Sequence, residues 1–464
     1  MEYNYDLIVI GSGPGGYVSA IKASKLGMRV IIIEGDEIGG TCLNRGCIPT
    51  KSLLHSSNLY HMAKNTEEFG VYVNDVSFDL AKIMERKDKV VSTTREGIIT
   101  LLQANNVNIT KGFATIINNN TVIVNKNESI TGKNILIATG AKPFIPNIIG
   151  HELEDVVTSD LLLSKNDKLY EHLLIIGGGV IGVEFATIYK ELGSDVTILE
   201  AMDRILPTMD REISTTISMS LKKKGVTILP RAKVCEIKKD DTLHCVYEIG
   251  ERKERIVANG ILIATGRKAN TEGLFGESFH LNMDGNFIKV DSNFQTSVKG
   301  IYAIGDVTCG KQLAHVATAQ GIVAVEHMCN KISTINLDLV PSCIYTNPEV
   351  AVVGLSKEEA KDMGIEVKVG KYPLHGNCKT LISGDERGYI KVILDVGTNR
   401  IIGSEIICAR ATDMIGELAL AITSGMKGED IGRIIRAHPT YYEGITEAIE
   451  DISGMAIHMI PKRI

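Results

Sequence analysis

The chain has 464 residues, of which 44% are hydrophobic and 23% are charged, and its formal net charge is -6. That length predicts two to four domains of an ordinary soluble globular protein. The negative charge and scattered basic residues exclude nucleic acid as the main partner, and no apolar run approaches the roughly 18 residues of a membrane span.

The first predicted unit is a strand, a turn, a helix and a second strand. The apolar run YDLIVI (5–10) is followed by GSGPGG, which places Gly11, Gly13 and Gly16 in G-x-G-x-x-G spacing. A helical stretch and the strand RVIIIE come next, and the strand ends at Glu34. This context is typical of a dinucleotide site, in which the helix N-terminus faces the pyrophosphate and the acidic residue accepts hydrogen bonds from a ribose. A single such motif is weak evidence.

The stretch GGTCLNRGCIPTK follows at once and holds Cys42 and Cys47. The chain has nine cysteines, an odd number that does not fit the disulfide framework of a secreted protein. The N-terminus shows no basic leader. Both observations predict a cytoplasmic protein. Inert buried cysteines remain an alternative. A metal site is not expected, because such sites need about four ligands, usually with a second cysteine pair. The spacing favours a redox-active dithiol, since a bent segment can bring two such residues within disulfide range.

The dinucleotide pattern recurs further along the chain. HLLIIGGGVIG carries Gly177, Gly179 and Gly182, and a helix and the strand DVTILE follow, ending at Glu200. The distance from first glycine to acid is 23 positions in both copies, which predicts two bound dinucleotides. A carboxylate at Glu200 favours NAD over NADP, because it would repel a 2′-phosphate. A dithiol exchanges electrons poorly with a nicotinamide unless a flavin mediates, so we assign FAD to the first site and NAD to the second.

These segments resemble the pyridine nucleotide–disulfide oxidoreductase family over essentially the whole chain. The resemblance rests on the cysteine segment and on four others: ATG (138–140), ATGR (264–267), IYAIGD (301–306) and AHPTYYEG (437–444). It implies an α/β fold with two Rossmann-like dinucleotide-binding domains, one for FAD and one for NAD, and a C-terminal α+β dimerisation domain. The segments expected are 1–148 and 269–338 for FAD, 149–268 for NAD and 339–464 for the dimer interface.

By the same resemblance, Cys42 exchanges with substrate, Cys47 lies against the flavin, His438 is the acid–base catalyst and Glu443 orients it. An imidazole near a thiol is suited to this work, because it lowers the thiol pKa and exchanges protons near neutral pH. For Glu443 an alternative stays open: TYYE is a capping box, with Thr440 at the N-cap and Glu443 at N3.

The remaining cofactor contacts also come from the resemblance. Lys51 is expected beside the flavin, paired with Glu184. The further positions expected at the two cofactors are Ser12, Thr41, Ala114, Gly140, Asp306, Ala314, Val234 and Gly266.

The resemblance further implies a homodimer in which His438 and Glu443 of one subunit complete the site of the other. The expected substrate is a dithiol on the lipoyl-bearing protein of a multienzyme complex.

Two other classes of disulfide reductase fit the sequence less well. Glutathione-type reductases use an arginine on the first helix, where this chain has Ile21 and Lys22. Mercuric reductases add a C-terminal cysteine pair, whereas the last cysteine here is Cys408. A non-catalytic flavoprotein scaffold would lose a catalytic residue, and all are present. Arg45 lies inside the cysteine segment, and we interpret it as an exposed residue. Two alternatives stay open: its charge stabilises a nearby thiolate, or it contacts an acidic surface of a partner protein.

Overall fold

The computed structural model describes residues 3–165, 168–385 and 388–460. The predicted domain limits at residues 1 and 464 lie outside this part of the chain. The chain divides into two compact units: the first comprises 1–177, 235–246 and 255–337, and the second comprises 178–234, 247–254 and 338–464.

Within the described residues the α-helices range from five to 25 residues in length. They are α1 (Pro14–Lys25), α2 (Gly40–Arg45), α3 (Cys47–Lys64), α4 (Leu80–Ala104), α5 (Ser159–Lys165), α6 (Val180–Glu191), α7 (Arg211–Lys223), α8 (Ala314–Met328), α9 (Lys357–Asp362), α10 (Cys378–Ser383), α11 (Ala411–Thr423), α12 (Gly428–Gly432) and α13 (Glu443–Asp451). Short 3-10 turns lie at Thr66–Phe69, Gly305–Val307 and Leu374–Gly376.

The strands, in chain order, are β1 (Tyr5–Ile10), β2 (Val30–Glu34), β3 (Asn108–Lys111), β4 (Ala114–Asn118), β5 (Thr121–Val124), β6 (Glu128–Ile137), β7 (Ala141–Pro143), β8 (Val156–Thr158), β9 (His172–Ile176), β10 (Asp195–Glu200), β11 (Thr227–Pro230), β12 (Ala232–Lys239), β13 (Leu243–Ile249), β14 (Arg252–Ala258), β15 (Gly260–Ile263), β16 (Arg267–Ala269), β17 (Met283–Asp284), β18 (Phe287–Ile288), β19 (Ile301–Ala303), β20 (Ser342–Ile344), β21 (Glu349–Gly354), β22 (Val367–Pro373), β23 (Tyr389–Asp395) and β24 (Ile401–Cys408).

The first unit is built on a seven-stranded sheet in the order β3-β2-β1-β6-β5-β4, with β19 also paired to β6. Strand β1 runs parallel to both β2 and β6. Its residues are buried on both faces of the sheet, with Ile8 and Ile10 in one hydrophobic cluster and Leu7 and Val9 in another. Two-sided burial is why this strand reads as a continuous apolar run. The carboxyl ends of β1 and β2 share one sheet edge, where the first glycine motif and Glu34 lie.

A second parallel arrangement follows. In the first unit, β15 pairs in parallel with both β8 and β9, and in the second unit β10 pairs in parallel with β11. The strand–helix–strand unit predicted around the second glycine motif is present as β9, α6 and β10. The predicted α/β class with two Rossmann-like elements is confirmed.

The C-terminal part of the second unit is an antiparallel five-stranded sheet in the order β20-β21-β24-β23-β22. Helices α11 and α13 cover it, with Leu418 and Ile445 fully buried in the shared core. This is the predicted α+β element. None of the helices in the described part of the chain combines the length and the hydrophobicity that a membrane crossing requires.

Candidate active site

The two cysteines of the predicted dithiol lie on consecutive short segments of the first unit. Cys42 is in α2, Cys47 is the first residue of α3, and Gly46 separates the two helices. Both cysteines are in the thiol form. Their side chains are hydrogen bonded to each other, as expected of two thiols that can form a disulfide.

The two thiols have different electrostatic surroundings. The hydrogen bond with Cys47, together with burial, raises the pKa of the Cys42 thiol. Cys47 is exposed and stands at the N-terminus of an 18-residue helix, where unpaired N–H groups and the helix dipole stabilise an anion. Lys51 lies one turn further along the same helix, and its charge offsets only a small part of the rise in the pKa of Cys42. The arrangement therefore favours a proton on Cys42 and a negative charge on Cys47.

The helix of Cys42 is tied to the loop that follows β2. The Asn44 side chain donates hydrogen bonds to the carbonyl oxygens of Ile38 and Gly40, at 3.0 and 2.9 Å. Sequence reasoning missed this residue. Its position between the two cysteines is a signal that could have found it, since an amide in so short a segment can reach nearby carbonyl groups.

Arg45 is half-buried, so its interpretation as an exposed residue is wrong. Its guanidinium lies 2.5 Å from the carboxylate of Asp36 and 3.0 Å from that of Glu37. Arg95 is the second cation bound to Glu37. The positive charges of Arg45 and Arg95 are balanced by the negative charges of Asp36 and Glu37, so this cluster brings little net charge to the thiols. The structural effect of Arg45 is to tie α2 to the loop after β2.

The first glycine of each dinucleotide motif sits where a side chain would collide with the backbone. Gly11 has a φ of +97° and Gly177 a φ of +109°. A Cβ atom on Gly11 would lie 2.5 Å from the Ala138 carbonyl oxygen, and one on Gly177 would lie 2.5 Å from that of Ala264. These contacts join each motif to its ATG segment and explain why the two kinds of segment occur as pairs.

The carboxylates at the ends of β2 and β10 hold the motif loops in the same way. Glu34 accepts hydrogen bonds from the backbone N–H of Ser12 at 2.8 Å, from its hydroxyl at 2.6 Å and from the N–H of Asp36 at 2.9 Å. Glu200 accepts from the N–H groups of Gly178 and Met202, both at 2.7 Å. A carboxylate has about four acceptor sites, so both groups keep capacity for the ribose hydroxyls that were predicted for them.

The space above both motifs fits a dinucleotide. A Cβ atom added to Gly13 or to Gly179 would meet no protein atom within 4 Å, as expected where a pyrophosphate approaches the backbone. A Cβ atom on Gly16 would lie 2.0 Å from the Gly11 carbonyl oxygen, so helix and strand pack closely there. Beside the first motif the Thr139 hydroxyl is buried and has no hydrogen-bond partner among the described residues. Sequence reasoning missed Thr139, although the quoted ATG segment contains it.

The other predicted cofactor positions occupy loops and element ends. Thr41 is in α2, Ala114 begins β4, Ala314 begins α8, Gly182 and Glu184 lie on α6, and Val234 is in β12. Gly140 and Gly266, in the two ATG segments, have positive φ angles and open space beside them. Asp306 lies on a 3-10 turn, where burial raises its pKa and the charge of Arg267 partly offsets that effect.

Glu184 is buried on α6, with 3% of its surface exposed. Its carboxylate accepts a hydrogen bond of 3.1 Å from the Tyr345 N–H. The ion pair between Glu184 and Lys51 stays a prediction.

His438 and Glu443 form a close pair in the second unit. The Nδ1 atom of His438 lies 2.7 Å from the Glu443 carboxylate, whose other oxygen accepts the Thr440 N–H at 2.8 Å. The His438 side chain is 68% exposed. Burial alone would raise the pKa of Glu443, but the hydrogen bonds from Thr440 and His438 outweigh it, so the pKa lies below its usual value. With Nδ1 held by a carboxylate, Nε2 is the ring nitrogen that can exchange a proton with a substrate.

The capping interpretation of Glu443 holds only in part. The bond from the Thr440 N–H is one that a capping box also uses, but α13 begins at Glu443 and Tyr442 is its N-cap residue. Glu443 is therefore at N1 rather than N3, and its carboxylate serves the imidazole and the loop together. Among the described residues, no group of three or more metal-binding side chains is arranged around a common point.

Two family profiles match the chain. Residues 5–321 match the profile described as pyridine nucleotide-disulphide oxidoreductase. Residues 340–449 match the dimerisation domain of the same family.

Individual relatives match over nearly the full length. A dihydrolipoyl dehydrogenase from Thermus scotoductus is 40% identical over 98% of this chain and 99% of the relative. One from Bacillus subtilis is 38% identical over 99% of this chain and 100% of the relative. Among solved structures, the HOCl-induced flavoprotein disulfide reductase RclA from Escherichia coli superposes with a TM-score of 0.86, at 30% identity, over 96% of this chain and 99% of that one.

Proposed function

The chain belongs to the pyridine nucleotide-disulphide oxidoreductase family, and on that premise we propose that it acts as a dihydrolipoyl dehydrogenase. It is an FAD-dependent oxidoreductase that uses NAD, and it carries the family's dimerisation domain. The proposed substrate is dihydrolipoamide on the lipoyl-bearing protein of a multienzyme complex. The proposed location is the cytoplasm. The predicted FAD, NAD and interface segments are part of the same proposal.

The single observation that carries the proposal is the pairing of His438 with Glu443 in a chain that also holds the Cys42–Cys47 dithiol. Oxidising a dithiol releases two protons, which a carboxylate-oriented imidazole can accept one at a time. The relatives named dihydrolipoyl dehydrogenase, at 38–40% identity, support the same substrate.

The chemistry of the protein groups begins from the Cys42–Cys47 disulfide. Nε2 of His438 takes the proton of one substrate thiol, and the resulting thiolate attacks the Cys42 sulfur. The disulfide breaks, and Cys47 leaves as a thiolate at the N-terminus of α3, where that charge is favoured. His438 releases the first proton to solvent and then takes the proton of the second substrate thiol. The resulting thiolate displaces Cys42 from the mixed disulfide, so the substrate leaves as a cyclic disulfide. The Cys42 thiolate receives the second proton from His438.

The reduced dithiol then carries two electrons, which two bound cofactors would remove. FAD bound at the first motif would accept these electrons, and NAD+ bound at the second would remove them. The residues that would hold FAD are Gly11, Ser12, Gly13 and Glu34; those that would hold NAD are Gly177, Gly179 and Glu200. The contribution of the chain to this step is to fix the loops, through the hydrogen bonds of Glu34 and Glu200.

We propose that the base comes from the other subunit of a homodimer. Dimers in which one chain carries Cys42→Ser and the other His438→Gln should regain about half of the wild-type activity, because one of their two sites keeps both residues. Tagged heterodimers separated from each parent should show this recovery. No recovery would mean that dithiol and base come from the same chain.

Steady-state kinetics test the substrate. NAD+ reduction by dihydrolipoamide should exceed NADPH oxidation by glutathione disulfide by several orders of magnitude. Lys22, on the helix where a glutathione-type reductase needs an arginine, is already paired with Glu326 at 2.8 Å, which argues against a site for a charged peptide. Faster turnover of glutathione disulfide would refute the proposal.

A second candidate function is disulfide reduction, which is the reverse direction of the same chemistry. It is favoured by the structural likeness to RclA, a flavoprotein disulfide reductase. Assays with NADH and small disulfides such as lipoamide distinguish the two, because a dedicated reductase should show a higher kcat/KM in that direction than with dihydrolipoamide.

A further inference from the structure

The loop that carries His438 is fixed to the protein by the Arg436 side chain before the histidine and by the buried Tyr441 after it. It runs from the end of α12 at Gly432 to the start of α13 at Glu443. Residues 433–435 and 437–439 are exposed on either side of Arg436, which is itself half-buried. The Arg436 side chain is only 7% exposed. The exposed run therefore turns inward at one point, two residues before His438.

Arg436 joins this loop to two helices, α11 and α13. Its Nη1 and Nη2 atoms donate to the two carboxylate oxygens of Glu417 on α11, at 2.9 and 2.7 Å. Its Nε atom donates to the Thr446 hydroxyl on α13, at 3.0 Å. The planar guanidinium fork suits this geometry, because a two-point contact with a carboxylate fixes direction as well as distance.

Thr446 lies one helical turn beyond Glu443 on the same helix. The contact of Arg436 with Thr446 therefore fixes the loop segment of His438 against the helix that presents Glu443. The 2.7 Å contact between His438 and Glu443 joins an exposed imidazole to the first residue of α13. Holding an exposed side chain in one geometry costs rotamer entropy. A loop that is already fixed by Arg436 reduces the number of conformations that this contact has to exclude.

We propose that Arg436 is a positioning residue for the acid–base step, which fixes the His438 loop against Glu443 through Glu417 and Thr446. This inference rests on the proposed role of His438. Arg436 itself need not touch the substrate, and its charge is cancelled by Glu417, so its effect on His438 is one of geometry.

The main test is Arg436→Met, which keeps much of the apolar stem and removes all three contacts. The kcat/KM for dihydrolipoamide should fall about 10- to 100-fold, mainly in kcat, because reacting groups must lie within narrow limits of distance and angle. NADH-dependent reduction of ferricyanide, which bypasses the dithiol and its base, should stay within about twofold of wild type.

Two conservative variants keep the test decisive if Arg436→Met does not fold. Arg436→Lys keeps the charge and one contact, and should recover part of the loss. Thr446→Val removes only the Nε contact, and should give a smaller decrease in kcat/KM. The matched control is Arg433→Met in the same loop: Arg433 is 76% exposed and lies 3.3 Å from Glu429, and its loss should leave both activities unchanged.

Three outcomes would overturn the proposal. Arg436→Met could keep dihydrolipoamide turnover within about twofold of wild type. Both activities could fall together with thermal stability, which indicates a merely structural role. Arg433→Met could match its effect. If instead the wild type fails to oxidise dihydrolipoamide, the proposed substrate is wrong, and Arg436 is then tested by the same comparison in NADH-dependent lipoamide reduction.

Discussion

Glu443→Gln isolates the tautomer of His438 from the rest of the loop. In the structure one carboxylate oxygen of Glu443 faces Nδ1 of His438 and the other accepts the Thr440 N–H. A glutamine has only one oxygen, and the Thr440 N–H can only donate. The oxygen therefore stays with Thr440, and the NH2 group turns toward Nδ1.

A glutamine NH2 group can bond to Nδ1 only if that nitrogen accepts. The neutral imidazole must then carry its proton on Nε2, the atom that takes the substrate proton in the proposed mechanism. General acid–base catalysis contributes about 10²–10⁴-fold to rate, and a wrong tautomer removes most of it, as in serine protease triads. We expect kcat/KM for dihydrolipoamide to fall about 10²- to 10⁴-fold, which is roughly 3–5 kcal/mol of transition-state stabilisation.

The assay is NAD+ reduction by dihydrolipoamide across pH 6 to 9, with flavin absorbance as a measure of cofactor content. The matched control is Glu450→Gln, which changes another carboxylate of α13 at Glu443–Asp451. The control should keep wild-type rates. Because the Thr440 contact survives in Glu443→Gln, its thermal midpoint should stay within a few degrees of wild type.

A Glu443→Gln enzyme within about threefold of wild type at every pH would refute the tautomer argument. It would show that Glu443 serves the loop and the helix start, as the capping interpretation holds. A loss of the same size in Glu450→Gln would refute it as well, because the effect would then come from the charge of the helix.

Three further predictions concern other parts of the molecule. Cys42→Ser should keep a long-wavelength absorption band from the Cys47 thiolate against oxidised flavin, and Cys47→Ser should lack it. Glu200→Arg should shift the kcat/KM ratio at least tenfold toward NADP+, and should lower stability because two backbone N–H groups lose their acceptor. Burial raises the pKa of Glu405 to about 7, although Lys391 lies 2.7 Å away. The native state therefore binds this proton more tightly than the unfolded chain does. The free energy of unfolding should consequently decrease by about 3 kcal/mol as the pH rises from 4.5 to 7. In denaturant titrations, Glu405→Gln should reduce this dependence of the unfolding free energy on pH.

Local sequence patterns were sufficient for the regular elements. The predicted strands YDLIVI and DVTILE appear as Tyr5–Ile10 and Asp195–Glu200. These elements were predictable because a strand that is buried on both faces reads as a short continuous apolar run. The two glycine motifs were predictable for a similar reason, since a strand, a tight turn and a helix N-terminus occupy consecutive residues.

The contacts of single charged residues were not predictable. Arg45 pairs with Asp36 and Glu37 because the chain reverses between β2 and α2, and nothing in the local pattern specifies that approach. Arg436, in the loop before α13, meets Glu417 on α11, 19 positions away in the sequence. The T-x-x-E pattern at Thr440 gave the wrong helix start, because the same four residues also suit a loop that binds an imidazole.

The two halves of the proposed mechanism are held in place by different contacts. The dithiol lies on α2 and α3, where Asn44 and Arg45 both tie the segment to the β2 loop. The base lies on an exposed loop that Arg436 fixes to α11 and α13. Thiol–disulfide exchange needs sulfurs at a nearly fixed separation, whereas proton transfer needs the imidazole within hydrogen-bond reach of each substrate thiol in turn. Loosening the first half should therefore change the redox behaviour of the dithiol, and loosening the second should change the rate of proton transfer while the dithiol keeps its potential.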